Sequence, residues 1–157
     1  MTLPVWRSPE LVSHTRNLLR SFRRIVGRDL MRASDDDIDN AQRLYEAPFV
    51  VLSHGTQADP VLNYGNALAL HLWEMPFEQF TLTPSRRTAE PMLREDRQRL
   101  LETASRRGYI DDYAGVRISA TGRRFHIRDV LLWNVSDEGG RILGQAATFD
   151  KWASAEE

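Results

Sequence analysis

Apolar residues recur at Leu11, Val12, Thr15, Leu18, Leu19, Phe22, Ile25, Val26 and Leu30, the three-and-four spacing of an amphipathic helix. Ser8-Pro9-Glu10 supplies its start: a hydroxyl cap, a proline in the first turn and an acid at the positive end of the dipole. The pattern predicts a helix to about residue 31. Its opposite face holds Arg16, Arg20, Arg23, Arg24 and Arg28. Three uses fit such a face: the solvated outside of a packed helix, a dimer-forming helix, or a surface for nucleic acid or an anionic membrane. Ser34-Asp35-Asp36-Asp37 then caps a second helix with Ile38, Ala41, Leu44 and Tyr45 as its buried stripe, ended by Pro48.

The period now changes. Phe49 to His54 is a nearly continuous apolar run, the signature of a central strand buried on both faces. A turn over residues 55–60 leads to a second strand, Val61 to Tyr64, and Gly65-Asn66 turns into a short helix, Ala67–Glu74, stopped by Pro76. Phe77 to Pro84 reads as irregular, with Phe77, Phe80 and Leu82 tucked inward. Pro91 opens a longer helix with the stripe Met92, Leu93, Leu100, Leu101 and Ala104, closed by Gly108 and braced by Glu95/Arg99 and Glu102/Arg106. A β-meander ends the chain. Val116, Ile118 and Ala120 alternate with polar residues. Phe125, Ile127, Leu131, Trp133 and Val135 share one parity, interrupted by Asp129, and Arg141 to Phe149 forms the last strand. The expected fold is α+β: a five-stranded antiparallel sheet with its helices on one face, preceded by N-terminal helices. Residues 1–33 form an N-terminal amphipathic helix for packing or dimerisation, and residues 34–157 form the domain.

Composition narrows the chemistry. The 157-residue chain has no cysteine, which excludes disulfides, thiolate zinc sites, iron–sulfur clusters and a cysteine nucleophile, and fits a reducing compartment. No run approaches the roughly 18 apolar residues of a membrane span, and Met1-Thr2-Leu3-Pro4 does not begin a signal peptide, so the expected location is cytoplasmic, without a membrane partner. The net charge of −1 argues against a nucleic-acid partner, but it hides a segregation. Residues 1–34 carry seven Arg against Glu10 and Asp29, whereas residues 35–80 carry Arg43 against eight acids. These two stretches attract each other, within one chain or across a homodimer built on the N-terminal helix. The acid run is read as helix-dipole complementation rather than metal binding, because no calcium-loop spacing follows.

The order of strands and helices, with Leu62-Asn63-Tyr64-Gly65-Asn66-Ala67 between the second strand and the next helix, resembles a PAS domain. The stretches FVVLSHGTQADPVLNYGNALALHLWE, PSRRTAEPMLREDRQRLL, GYIDDYAGVRISATGRRFHIRDVLLWN and GQAATFDKW, in order over roughly residues 45–152, resemble the MEKHLA domain family. That PAS-like family occurs as small stand-alone bacterial and algal proteins. It also forms the C-terminal regulatory region of plant class III homeodomain–leucine-zipper transcription factors. This chain has neither homeodomain nor zipper, so the DNA-binding role does not carry over. The resemblance implies a PAS-like sensory or regulatory module that binds a small ligand or a protein partner and dimerises. It transfers no catalytic residue. A ligand-free adaptor with a filled core is the alternative, and a small α+β enzyme a third.

The residues themselves give little sign of catalysis. Gly-x-Ser-x-Gly, Gly-x-Gly-x-x-Gly and phosphate-loop patterns are absent, and the neighbours Ser53 and His54 point to opposite faces of a strand. His54, His71 and His126 lack ligand spacing, although some PAS domains hold haem through a histidine. The candidate pocket residues are therefore His54, Asn63, Tyr64, Asn66, Trp73, Arg86, Trp133 and Gln145. Asn63, Tyr64 and Asn66 cluster at a turn, where asparagine also serves the backbone. Trp73 and Trp133 fit core as well as ligand cage. Gln145 sits on the last strand, where some flavin-binding PAS domains use a glutamine, although no cysteine is present for a flavin adduct. In Ser85-Arg86-Arg87-Thr88-Ala89-Glu90, paired arginines suit a carboxylate or phosphate, or else Arg86 or Arg87 pairs with Glu90 and Arg94 joins them.

Overall fold

The computed structural model describes residues 3–90 and 94–155. Pro91, Met92 and Leu93, read above as the start of the long helix, lie outside the described residues, as does the side chain of Leu101.

Helix α1 spans Pro9–Val26. The Ser8 hydroxyl accepts the Leu11 N–H at 3.2 Å, as the cap pattern requires. The helix stops five residues before the predicted end, because Gly27 takes φ 90 and its N–H returns to the Arg23 carbonyl. Helix α2 spans Asp37–Tyr45, capped by the Asp36 carboxylate on the Ile38 and Asp39 N–H groups. Strands β1 (Val50–His54) and β2 (Leu62–Gly65) follow, then α3 (Ala67–Trp73) and a single helical turn α4 (Phe77–Phe80) in the stretch read as irregular. A 3-10 turn covers Ser85–Thr88, and α5 covers Arg94–Arg107. On α5 the pairing differs from the i,i+4 expectation: Arg99 takes Asp96, and Glu102 accepts from the Gln98 amide. Strands β3 (Tyr109–Ile118), β4 (Arg124–Ser136) and β5 (Ile142–Phe149) complete the meander, and a short β6 (Lys151–Ser154) extends it.

The sheet is antiparallel in the order β2-β1-β5-β4-β3, with β6 also on β4. Beyond the five strands expected, β6 is β5 resumed after a bend at Asp150, and it pairs with the first half of β4 from Phe125↔Ser154 to Arg128↔Lys151. Asp129, at φ 53, lies opposite that bend and accepts the Lys151 ammonium at 2.8 Å. Against β3, β4 carries an extra residue here, since Gly115 pairs with Ile127 but Tyr113 with Val130. This bulge changes the parity of β4. Phe125, Ile127 and Val130 enter one core layer, and Leu131, Trp133 and Val135 enter the other. The single shared parity expected for these residues is thereby corrected.

Both faces of the sheet are covered. On the first, α3 and α4 pack Ala69, Leu72, Trp73 and Phe80 against Leu52, Ile127 and Phe149. On the second, α1 and α2 pack Leu11, Leu18, Phe22 and Leu44 against Val51, Tyr64, Leu131 and Trp133. The apolar stripe of α1 packs on the chain's own sheet, so α1 is part of the core. One ion pair among the described residues joins the Arg-rich and acid-rich stretches within the chain, Arg16 to Asp37 at 2.7 Å. The other pairs on or beside α1 and α2 do not bridge the two stretches: Arg23 holds Asp29 and Arg43 holds Asp39 at 2.8 Å each, while Arg20 reaches Glu138 at 2.6 Å. These exposed pairs each contribute at most about 1 kcal/mol, so burial under the stripe dominates the docking of α1. No helix among the described residues is long and apolar enough to cross a membrane.

Candidate functional site

Residues 84–90 cross the first face of the sheet as a strap. An isolated bridge fixes each end, Val61↔Pro84 beside β2 and Ala89↔Arg117 on β3. Between them the Thr88 carbonyl accepts the Trp73 indole N–H at 3.2 Å. The buried Trp73 ring stands edge-on to Phe125 and Phe149 and props the strap away from the strands. A cavity of about 420 Å³ lies beneath the strap and the inner side of α5. Leu52, Ile127, Leu132, Ala147 and Phe149 form its apolar floor, and Leu100 and Ala104 line it from α5.

Polar groups stand at opposite ends. At one, His54 and Gln145 are cross-strand partners on β1 and β5. The His54 Nδ1–H donates to the Gly55 carbonyl at 2.8 Å, which leaves Nε2 as an acceptor. The strands can approach here only because residue 144 is glycine: a Cβ would lie 1.8 Å from the His54 carbonyl oxygen. At the rim, Arg86 Nε donates to both oxygens of Asp59, at 3.1 and 3.2 Å. Glu90 is held instead by Arg124 at 2.5 Å. The expected Arg86/Arg87–Glu90 pairing is corrected, because its partners come from the 55–60 turn and from β4. At the far end stand Tyr113 and Arg117 of β3, with Arg117 Nη2 donating to the Tyr113 hydroxyl at 3.2 Å.

The cavity gathers His54, Trp73, Arg86 and Gln145 from the residues singled out in the sequence. It does not gather Asn63, Tyr64, Asn66 or Trp133. A bulge on β2 explains Tyr64. Ser53 pairs with Tyr64 but His54 pairs with Leu62, so Asn63 is the extra residue and Leu62 and Tyr64 face opposite layers. Asn63 Oδ1 accepts the Ser53 hydroxyl at 2.5 Å. That hydroxyl proton being spent, the His14 Nε2–H of α1 donates to Ser53 Oγ at 2.8 Å. Burial lowers the His14 pKa to about 4. The Tyr64 hydroxyl is buried with no hydrogen-bond partner among the described residues, and burial, with a smaller contribution from Tyr45, raises its pKa. Trp133 stacks edge-on against Phe22 at 4.9 Å and donates its indole N–H to Ser21 Oγ at 3.1 Å.

Asn66 is saturated by backbone. Its Oδ1 accepts from Val51 and Ala69, each at 3.2 Å, and its Nδ2 donates to the Leu44 and Phe49 carbonyls at 3.1 and 2.8 Å. It caps α3 and locks α2 and β1 to that cap, with no capacity left for a ligand. The sequence reading missed Tyr113 and Arg117 as cavity residues. Arg117 stood there as one of the meander's polar positions, and its alternation with Val116 and Ile118 is equally the signature of a solvent-facing side chain. Among the described residues no group of three or more His, Asp or Glu side chains is gathered to hold a metal ion.

The fold recurs in solved structures. The PAS domain of a protein from Colwellia psychrerythraea superposes with a TM-score of 0.60 at 12% identity, over 74% of this chain and 93% of that one. A light-oxygen-voltage domain studied with a flavin analogue gives 0.53 at 14% identity, over 78% and 87%. An RNA-binding light-oxygen-voltage receptor gives 0.59 at 16% identity, over 80% of this chain and 35% of that one. At such identities the likeness establishes the PAS fold alone. No curated protein matches the chain in sequence. The profile of the MEKHLA domain, however, matches residues 12–154, which takes in most of α1 and every strand. The chain belongs to the MEKHLA domain family.

Proposed function

We propose that this protein is a sensory or regulatory module that holds a small organic molecule beneath the strap, without catalysis. The observation that carries this reading is the cavity itself: about 420 Å³, floored by aliphatic side chains, with a few polar groups at its ends. Ligand sites have this composition, whereas a module with a filled core would pack the same space. The reading without catalysis is supported by Glu90, the carboxylate that lines the cavity among the described residues, being held by Arg124 rather than by His54. A flavin seated here would form no cysteinyl adduct, since the chain has no cysteine.

Native mass spectrometry of the purified protein, set beside its denatured mass, tests the reading. Retained mass that disappears when Ala147→Trp fills the floor supports it. A wild-type chain that carries no extra mass and binds nothing from a metabolite extract would leave the ligand-free adaptor. The same spectrum counts subunits. A homodimer through α1 has to use the outward arginine face, because the apolar stripe is already buried.

A further inference from the structure

The arginines around the cavity differ in one respect. Arg86 is matched by Asp59 at the rim, and Arg124 by Glu90. Arg117 has no carboxylate partner among the described residues. Half-buried, its guanidinium donates to the Tyr113 hydroxyl and to the Val116 carbonyl at 3.3 Å, and sits 5.3 Å from the Tyr113 ring centroid. Much of its donor capacity is unspent. Gly115 makes the room for this arrangement. A Cβ at that position would lie 2.7 Å from the Tyr113 hydroxyl and 3.2 Å from Arg117 Nη1. The guanidinium therefore folds back over a position without a side chain, toward the cavity. Among the described residues, with Asp59 matched to Arg86 and Arg124 to Glu90, Arg117 leaves the cavity one positive charge in surplus, at the end of an apolar floor.

We propose that the cavity takes an organic monoanion: an apolar body over Ile127 and Leu132 carrying one carboxylate that lies on Arg117. The fork of a guanidinium matches the two oxygens of a carboxylate, and an aliphatic floor suits the remainder. This assignment rests on the reading of the cavity as a ligand site.

Matched probes separate the two. Decanoate against 1-decanol, and 2-naphthoate against 2-naphthol, are titrated calorimetrically into the full chain at neutral pH. In at least one pair the acid is expected to bind about tenfold tighter than the alcohol. Arg117→Gln removes that preference, Arg117→Lys keeps part of it, and Ala147→Trp abolishes binding of both members. Equal binding of acid and alcohol to the wild type, both blocked by Ala147→Trp, overturns the anion assignment and leaves the cavity reading standing. Failure of all four probes overturns the assignment to an apolar monoanion, and binding indifferent to Ala147→Trp overturns both. The comparison on the wild type decides the matter even if an Arg117 variant does not fold.

Discussion

Replacing Asn66 tests whether its amide is a structural lock or a ligand group. The side chain is fully buried and makes four bonds to backbone atoms of α2, the approach to β1, β1 itself and α3. Asn66→Ala removes the cap of α3, worth about 1 kcal/mol. It also removes three further buried bonds at roughly 1 kcal/mol each, for a total near 4 kcal/mol. For a chain of this size that lowers Tm by roughly 10 °C. Asn66→Ser keeps an acceptor for the Ala69 N–H and falls between. Asn66→Asp is the sharper variant. It preserves shape and the acceptor, but it turns the donor aimed at the Leu44 and Phe49 carbonyls into a second oxygen. Burial raises the pKa of that carboxyl above its unfolded value of about 4, so its penalty is full at neutral pH and fades as pH falls through the folded value. At pH 7 the aspartate variant is therefore at least as unstable as the alanine variant, and the gap closes toward pH 5. Urea unfolding followed by tryptophan fluorescence reads all four proteins, with the midpoint shifting at constant slope. An alanine variant within about 1 kcal/mol of wild type, or an aspartate variant more stable than alanine at pH 7, would refute the lock.

Other variants probe the remaining contacts. His14 has its pKa lowered to about 4 by burial, below the unfolded value of about 6.5, so stability drops by about 3 kcal/mol as pH falls across that window. His14→Gln should flatten this slope in urea midpoints measured between those pH values; an unchanged slope would remove His14 as the cause. Deleting residues 1–33 uncovers Trp133, Leu131 and Tyr64 and discards the fully buried Leu18 and Phe22, a loss above about 5 kcal/mol. The truncated chain should lack a cooperative thermal transition by circular dichroism, and one that melts like the full chain would show that α1 is dispensable. Gly144→Ala places a Cβ against the His54 carbonyl oxygen, at a φ of 150 that L-residues avoid, so it should abolish soluble expression or lower Tm far more than Gly139→Ala, where a Cβ meets nothing closer than 3.5 Å.

Much of this architecture was legible because its signals are local. Ser8 and Pro9 start α1, Asp36 caps α2, and alternation with glycine turns marks the meander. The run Val50-Val51-Leu52 announced a strand buried on both faces, and β1 does lie between β2 and β5. What escaped the reading depends on partners remote in sequence. The bulges at Asn63 and Asp129 exist only relative to the neighbouring strands, and each reverses the face of everything beyond it. Tyr64, expected at the pocket from its cluster at the turn, and Trp133, expected there from its central strand, therefore stand in the opposite layer. Strand β6 escaped because its four exposed residues carry no apolar alternation. Asp59, which fixes Arg86 from 27 positions away, had no local mark either.

The bend where Asp129 faces Asp150 has a chemical consequence. Lys151, whose ammonium bridges it, is the only lysine in the sequence. Apart from an N-terminal amine, amine-directed reagents therefore meet one side chain, at the hinge between the two halves of a strand. Acylating it would discharge the contact with Asp129 and leave a reporter there, without any residue being introduced or removed.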